Sequence, residues 1–177
     1  MCHTFPPQNC TSFSKTHQVL RLLHKRISRG EPKTGSNLHF FTSHFYTQLS
    51  TKKFGSMTNW TTKKDINIFE KKFIFIPINQ NSHWSLSVVV NPGSINNSQE
   101  SDSKKQANLD LPCLICMDSM NNYHNKPQIR TNVETWLNSQ YSQIYKGQPF
   151  NKNTFKFFQP TGKCSFLQHQ LLFHFQR

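Results

Sequence analysis

Acidic residues are scarce in this chain of 177 residues: eight Asp and Glu stand against 21 Lys and Arg, a formal net charge of +13. That balance favours acidic partners such as nucleic acid, anionic lipid or an acidic protein face. Yet the charge is scattered, with "HKRISRG" (24–30) the densest cluster, and no zinc-finger, RNA-recognition or helix-turn-helix signature accompanies it. A solvated basic surface accounts for it, and nucleic acid is not expected as a partner; a steep salt dependence of DNA or RNA binding would mark the opposite case. Long apolar runs are absent too. Nothing approaches the ~18 residues of a membrane span, and the start, "MCHTFPPQNC", has no continuous apolar stretch of the kind that leads a secreted protein. Cysteines number five, an odd count that suits a reducing compartment better than a disulfide framework. The expectation is a soluble, monomeric, intracellular protein, nuclear or cytoplasmic, without a membrane partner.

Hydrophobic residues make up only 34% of the chain, but 16 are Phe, and burying each contributes roughly 1.5–3 kcal/mol. One domain with a real core is therefore within reach. Internal repeats are absent. The spacing in "THQVLRLLHKRI" (16–27) predicts a helix, "SRGEPKTGSN" (28–37) a loop, and "LHFFTSHFYTQLS" (38–50) a short amphipathic helix. "SMTNWTTKKDINIFE" (56–70) is polar with single apolar anchors at Trp60, Ile66, Ile68 and Phe69. "KFIFIPIN" (72–79) and "HWSLSVVVN" (83–91) read as a hairpin joined by "NQNS", with Pro77 near a strand end or at an edge because it has no N–H to give a ladder. Residues 91–110 read as a partly disordered surface loop, a flexible insertion. "PCLICMDSM" (112–120) is a strand closing at Asp118, 129–145 a helix with Val133, Trp136, Leu137 and Tyr141 on one face, "FKFFQP" (155–160) a short strand, and 164–176 a terminal helix. Strands mixed with helices give an α+β class.

Three of these element ends carry groups that a hydrolase could use. His83 opens a strand, Asp118 closes another, and Cys164 begins a helix after a Gly-containing turn. A cysteine nucleophile needs a base to take its proton and gains from a helix N-terminus; a carboxylate holds the imidazole in the useful tautomer. Gln159, five residues before Cys164, could donate to an oxyanion, an interaction worth about 2.7–4 kcal/mol of barrier. Each piece also has a plain structural explanation: a surface histidine, a turn aspartate, a core cysteine. Cys113 and Cys116 have Cys-x-x-Cys spacing, but they sit inside an apolar strand with no second pair, so neither a metal nor a redox role is expected. His169 and His174 have the wrong offset for one helix face.

Taken in order, His83-Trp84, Asp118-Ser119, Gln159 and Cys164 resemble the SUMO proteases, the ubiquitin-like-protein-specific cysteine proteases. "LHFFTSHFYTQLS" is similar to that family's "FFnsfFYkkL" helix. "NWTTKKDINIFEKKFIFIPINQNSHWSLSVVVNPG" follows its "W-T-x-x-x-(D/N)-I-F-x-K-x-(F/Y)-I-F-(I/V)-P-(I/V)-N-x-x-x-H-W-x-L" block, and "PCLICMDSM" is similar to "pcIl.xDSl". The insertion between the His and Asp strands resembles the divergent sentrin-specific branch that trims poly-SUMO chains. The resemblance implies a papain-like α+β fold with a central, mostly antiparallel sheet flanked by helices, over 38–177. It implies His83 as general base, Asp118 as its orienting carboxylate, Cys164 as nucleophile and Gln159 as oxyanion donor. Trp84 would wall a slot that only a Gly-Gly tail can thread. No cofactor is implied, and the partner would be SUMO or another ubiquitin-like protein and its conjugates.

Two stretches depart from the family pattern. "QPTGKCSF" has Lys163 where the family has an acidic residue before the Cys, Ser165 where it has Gly, and one residue fewer after the Gln. The family's amino-terminal "W-L-N-D-x-x-I-x-x-Y" is not recognisable in residues 1–37, which leaves that segment poorly determined. A truncated product, a mis-joined gene and a decayed paralogue all fit that gap. A catalytically impaired module that binds SUMO without cutting it is the alternative function.

Overall fold

The computed structural model describes residues 25–27, 29–30, 35–51, 61, 66–96, 111–118, 120, 123–146, 148 and 150–160. The helix expected over 164–176, most of that over 16–27, and Trp60, Cys164 and residues 97–110 lie outside the described residues.

A five-stranded mixed sheet organises the chain, with strands in the order in which they occur: β1 (Leu38–Phe40), β2 (Phe73–Gln80), β3 (His83–Val90), β4 (Cys113–Asp118) and β5 (Lys156–Phe158). The three long central strands are antiparallel, as expected; the three-residue edge strands β1 and β5 add in parallel. The run "FIFIPINQ" extends because β-branched and aromatic residues fill a pleated surface. It reverses at Asn81 and Ser82, whose φ values of 51° and 63° are the left-handed pair that a two-residue hairpin loop needs. Pro77 sits within β2, opposite Leu86. The Phe41 N–H donates to the Phe75 carbonyl at 2.9 Å, so Phe75 aims its backbone groups at β1. By alternation Pro77 faces that same side, after β1 has ended, and no ladder bond is lost.

Alternation along the strands sorts the core. Ile74, Ile76, Ile78, Val89, Leu114 and Cys116 face one way and pack beneath two helices, α1 (Ser43–Ser50) and α2 (Lys126–Ile144). Phe75, Val88 and Leu38 form a smaller cluster on the other face, with Ile27, Leu86 and Met117 against it. At the centre of the larger core Phe41 and Phe45 stack with ring centroids 3.7 Å apart, and both meet Trp136 of α2 edge-on, at 5.4 and 4.9 Å.

Three expectations need correction. Residues 38–40 are a strand, not the first turn of a helix. Phe40 stacks on Phe75 at 4.5 Å, and parallel pairing with β2 outweighs a spacing that also suits a helix. Within 28–37, the described residues 29–30 and 35–36 are helical rather than loop. And the segment after β3 begins inside the core, not on the surface: Pro92–Asn96 is a 3-10 turn that buries Ile95 completely, and the Thr154 hydroxyl donates to the Ile95 carbonyl at 2.7 Å. That turn lies so close to the 3-10 turn Ile68–Glu70 that a Cβ on Gly93 would collide with the Phe69 carbonyl oxygen. Gly93→Ala should therefore cost about 1–3 kcal/mol of stability, read as a lower urea midpoint.

Helix α2 begins three residues earlier than its apolar spacing indicates. Asn125 caps it by accepting from the Gln128 N–H at 3.0 Å, and Pro127 lies in the first turn, where a missing N–H costs nothing. Among the described residues no helix is long and apolar enough to cross a membrane.

Candidate active site

Strands β3 and β4 meet at one end of the sheet in a register that pairs Ser85 with Asp118. Directly paired residues share a face, and His83, two residues before Ser85, shares it as well. This placement brings the two predicted groups together. The His83 Nε2 lies 2.7 Å from Asp118 Oδ1, with the side chains 11% and 2% exposed. An ionised carboxylate only accepts, so Nε2 carries the proton and the neutral ring presents Nδ1 as a lone pair. Nδ1 has no hydrogen-bond partner among the described residues.

Asp118 is held from three directions. Besides His83, Oδ1 accepts from the Met120 N–H at 3.1 Å and Oδ2 from the His124 N–H at 3.1 Å. Burial alone would raise the carboxyl, but these hydrogen bonds and the His83 charge outweigh it, and the pKa falls to about 2. A carboxyl depressed in the folded state adds stability that is full above its ordinary 3.8 and lost as pH falls through about 2. The stability advantage of the wild type over Asp118→Asn should accordingly shrink between pH 4 and pH 2 in denaturant titrations, and be level above pH 5.

No motif or spacing points to the next layer. His124 is buried, with Nδ1 2.7 Å from the Ser85 hydroxyl and Nε2 3.3 Å from the Gln80 carbonyl oxygen. The Tyr123 ring lies 4.6 Å from that of His83, and its hydroxyl donates to the Asn81 carbonyl at 3.2 Å. A histidine in "NNYHN" has no spacing relative to His83 that would single it out; only the placement of Ser85 and His83 on one strand face hinted at a neighbourhood. Among the described residues, His83, Asp118 and His124 also form a group that could hold a metal, their ligand atoms lying within 4.8 Å of one another. Of the ring nitrogens there, His83 Nε2 is engaged with Asp118, and both His124 nitrogens with Ser85 and Gln80.

The remaining predicted residues are placed less centrally. Trp84 is half-buried; by alternation it belongs to the opposite face of β3 from His83. Gln159 is exposed just beyond β5, at the same end of the sheet as Asp118, because β5 runs parallel to β4. Cys113 and Cys116 are buried in β4, and burial pushes both thiols up to about 11; for Cys116 this holds despite a 3.1 Å contact with the Ser87 hydroxyl and the nearby Lys126 charge. They are protonated at neutral pH and have no thiolate to offer.

A family model described as "Ulp1 protease family, C-terminal catalytic domain" matches residues 14–162. The chain belongs to the Ulp1 protease family. It is 32% identical over 123 residues to "Probable ubiquitin-like-specific protease 2B" of Arabidopsis thaliana, a match covering 61% of this chain and 12% of that protein. Over 82 residues it is 37% identical to sentrin-specific protease 6 of Mus musculus, covering 38% of this chain and 7% of the relative. The chain thus spans only a small part of these relatives' length. Among solved structures, a crystal structure of "the de-sumoylating protease" superposes with a TM-score of 0.62 at 19% identity, over 81% of this chain and 51% of that one. This likeness is one of fold, and it agrees with the papain-like α+β arrangement of a thiol protease of the Ulp1 family.

Proposed function

We propose that this chain is a cysteine peptidase that cleaves after the Gly-Gly terminus of SUMO or a related ubiquitin-like protein. The observation that carries the reading is the His83–Asp118 pair, set with Nδ1 unpartnered among the described residues. In the proposed reaction His83 Nδ1 takes the proton of the Cys164 thiol. The thiolate attacks the Gly-Lys isopeptide carbonyl, and the Gln159 amide donates to the oxyanion. His83 returns its proton to the leaving amine, and a water then hydrolyses the thioester. Asp118 keeps the proton on Nε2 and stabilises the imidazolium. Trp84 lines the approach of the glycines.

Chain length is compatible with Cys164 in that role. Phe158 is level with Ile115 on β4, and His83 lies two strands over and about five residues further along. Strand spacings put the two Cα atoms about 19 Å apart, while six extended residues reach about 20–22 Å. The inertness of Cys113 and Cys116 also favours a nucleophile elsewhere.

Hydrolysis of a fluorogenic amide on the SUMO C-terminus tests the reading. Turnover is expected, and its loss in His83→Ala and Cys164→Ala. Turnover that survives either substitution, or none in the wild type, overturns it. The sequence "GKCSF" favours a second reading, a module that binds SUMO without cutting it, since Lys163 and Ser165 replace the residues the family places beside its nucleophile. Saturable SUMO binding with no turnover would establish that alternative.

A further inference from the structure

We propose that His124 is a positioning residue for the His83–Asp118 pair: its imidazole staples the segment carrying the carboxylate to the end of the β2–β3 hairpin. The inference rests on the protease reading above for its functional consequence, and on geometry for the rest. Gln80 is the residue paired with His83 across the hairpin, and Ser85 is the residue paired with Asp118. His124 bridges these two. Its Nε2 faces a carbonyl, which can only accept, so Nε2 carries the proton and donates to Gln80; Nδ1 then accepts from the Ser85 hydroxyl. Donor and acceptor are both satisfied, and the residue is only 4% exposed. The residue's own N–H donates to Asp118 Oδ2.

One residue therefore ties together three groups: its ring holds the partner of the base and the partner of the carboxylate, and its backbone N–H holds the carboxylate itself. Its ring centroid lies 5.0 Å from that of His83, with the two rings tilted against each other. His124 does not serve as the base: both nitrogens are committed, and Asp118 contacts the ring of His83, not that of His124. Loosening the staple lets Asp118 retreat from Nε2, and a misplacement of about 1 Å costs on the order of 10²-fold in rate.

Two readouts separate this role from a general loss of stability. In nitrogen-detected imidazole spectra at neutral pH, wild-type His83 is expected as a single tautomer protonated at Nε2, with slow exchange of that proton. His124→Ala should give mixed tautomers and faster exchange. His124→Asn, which keeps an acceptor for Ser85, and Ser85→Ala should lie between. On a SUMO C-terminal amide, kcat of His124→Ala should fall about 10- to 100-fold with KM within about twofold. A folded His124→Ala with an unchanged His83 tautomer and exchange rate overturns the proposal, as does a loss confined to KM. Should His124→Ala not fold, wild-type behaviour of His83 in both His124→Asn and Ser85→Ala overturns it equally. A wild type without turnover refutes the protease reading alone, and the spectra still decide the positioning role.

Discussion

Asp118→Asn is expected to leave a folded protein whose turnover of a SUMO-terminated amide is lower by about 10⁴-fold. The substitution changes one atom, but an amide cannot satisfy the donors that converge there. With its oxygen toward His83, its NH₂ group faces the His124 N–H, donor against donor. Flipped, the NH₂ group donates to His83 Nε2, which then carries the lone pair, and the proton moves to Nδ1. In that tautomer the ring cannot accept the thiol proton, and no carboxylate stabilises the imidazolium. Steady-state kinetics beside far-ultraviolet circular dichroism would check this. Activity within tenfold of wild type, in a folded variant, would contradict the assigned role of Asp118.

The largest stability effect is expected at Trp136. Its side chain is 1% exposed and closes the aromatic cluster between α1, α2 and the sheet through Phe41 and Phe45. Trp136→Ala removes those contacts and leaves a cavity that rigid neighbours only partly fill, costing about 3–5 kcal/mol. Against a total stability of about 5–15 kcal/mol for a domain, that is enough to unfold a marginal one. Glu134→Gln, on the same helix, breaks only the half-exposed i,i+4 pair with Arg130 and should change stability by no more than about 0.5 kcal/mol. Urea denaturation of the two variants should separate them by several-fold in effect; similar midpoints would mean that the aromatic cluster does not anchor α2.

How legible the fold was depended on whether local and tertiary preferences agree. The hairpin of β2 and β3 could be read because a β-branched run, a polar turn and a second such run all say the same thing. The end of β4 at Asp118 followed from an apolar run giving way to polar residues. β1 leaves no local mark because the helical spacing of Phe41, Phe45, Tyr46 and Leu49 directly follows it; only pairing with a strand some 35 residues away makes Leu38–Phe40 extended. Ile95 looked exposed because its neighbours are Ser, Asn and Gly, and its burial depends on Gly93 permitting close approach to Phe69. In the candidate site, His83 and Asp118 were legible as residues at strand ends. Their register across β3 and β4 was not, since pairing between distant segments leaves no local mark. His124 was invisible for the same reason: its role depends on which residues stand opposite His83 and Asp118.

The central claim is that the His83–Asp118 pair serves a nucleophilic Cys164. A SUMO C-terminal vinyl sulfone, incubated with the protein and mapped by mass spectrometry after digestion, tests it most directly. The account predicts one covalent adduct, on Cys164, that fails to form in His83→Ala. An adduct on Cys2, Cys10, Cys113 or Cys116 instead, or labelling of Cys164 that is indifferent to His83, would contradict it.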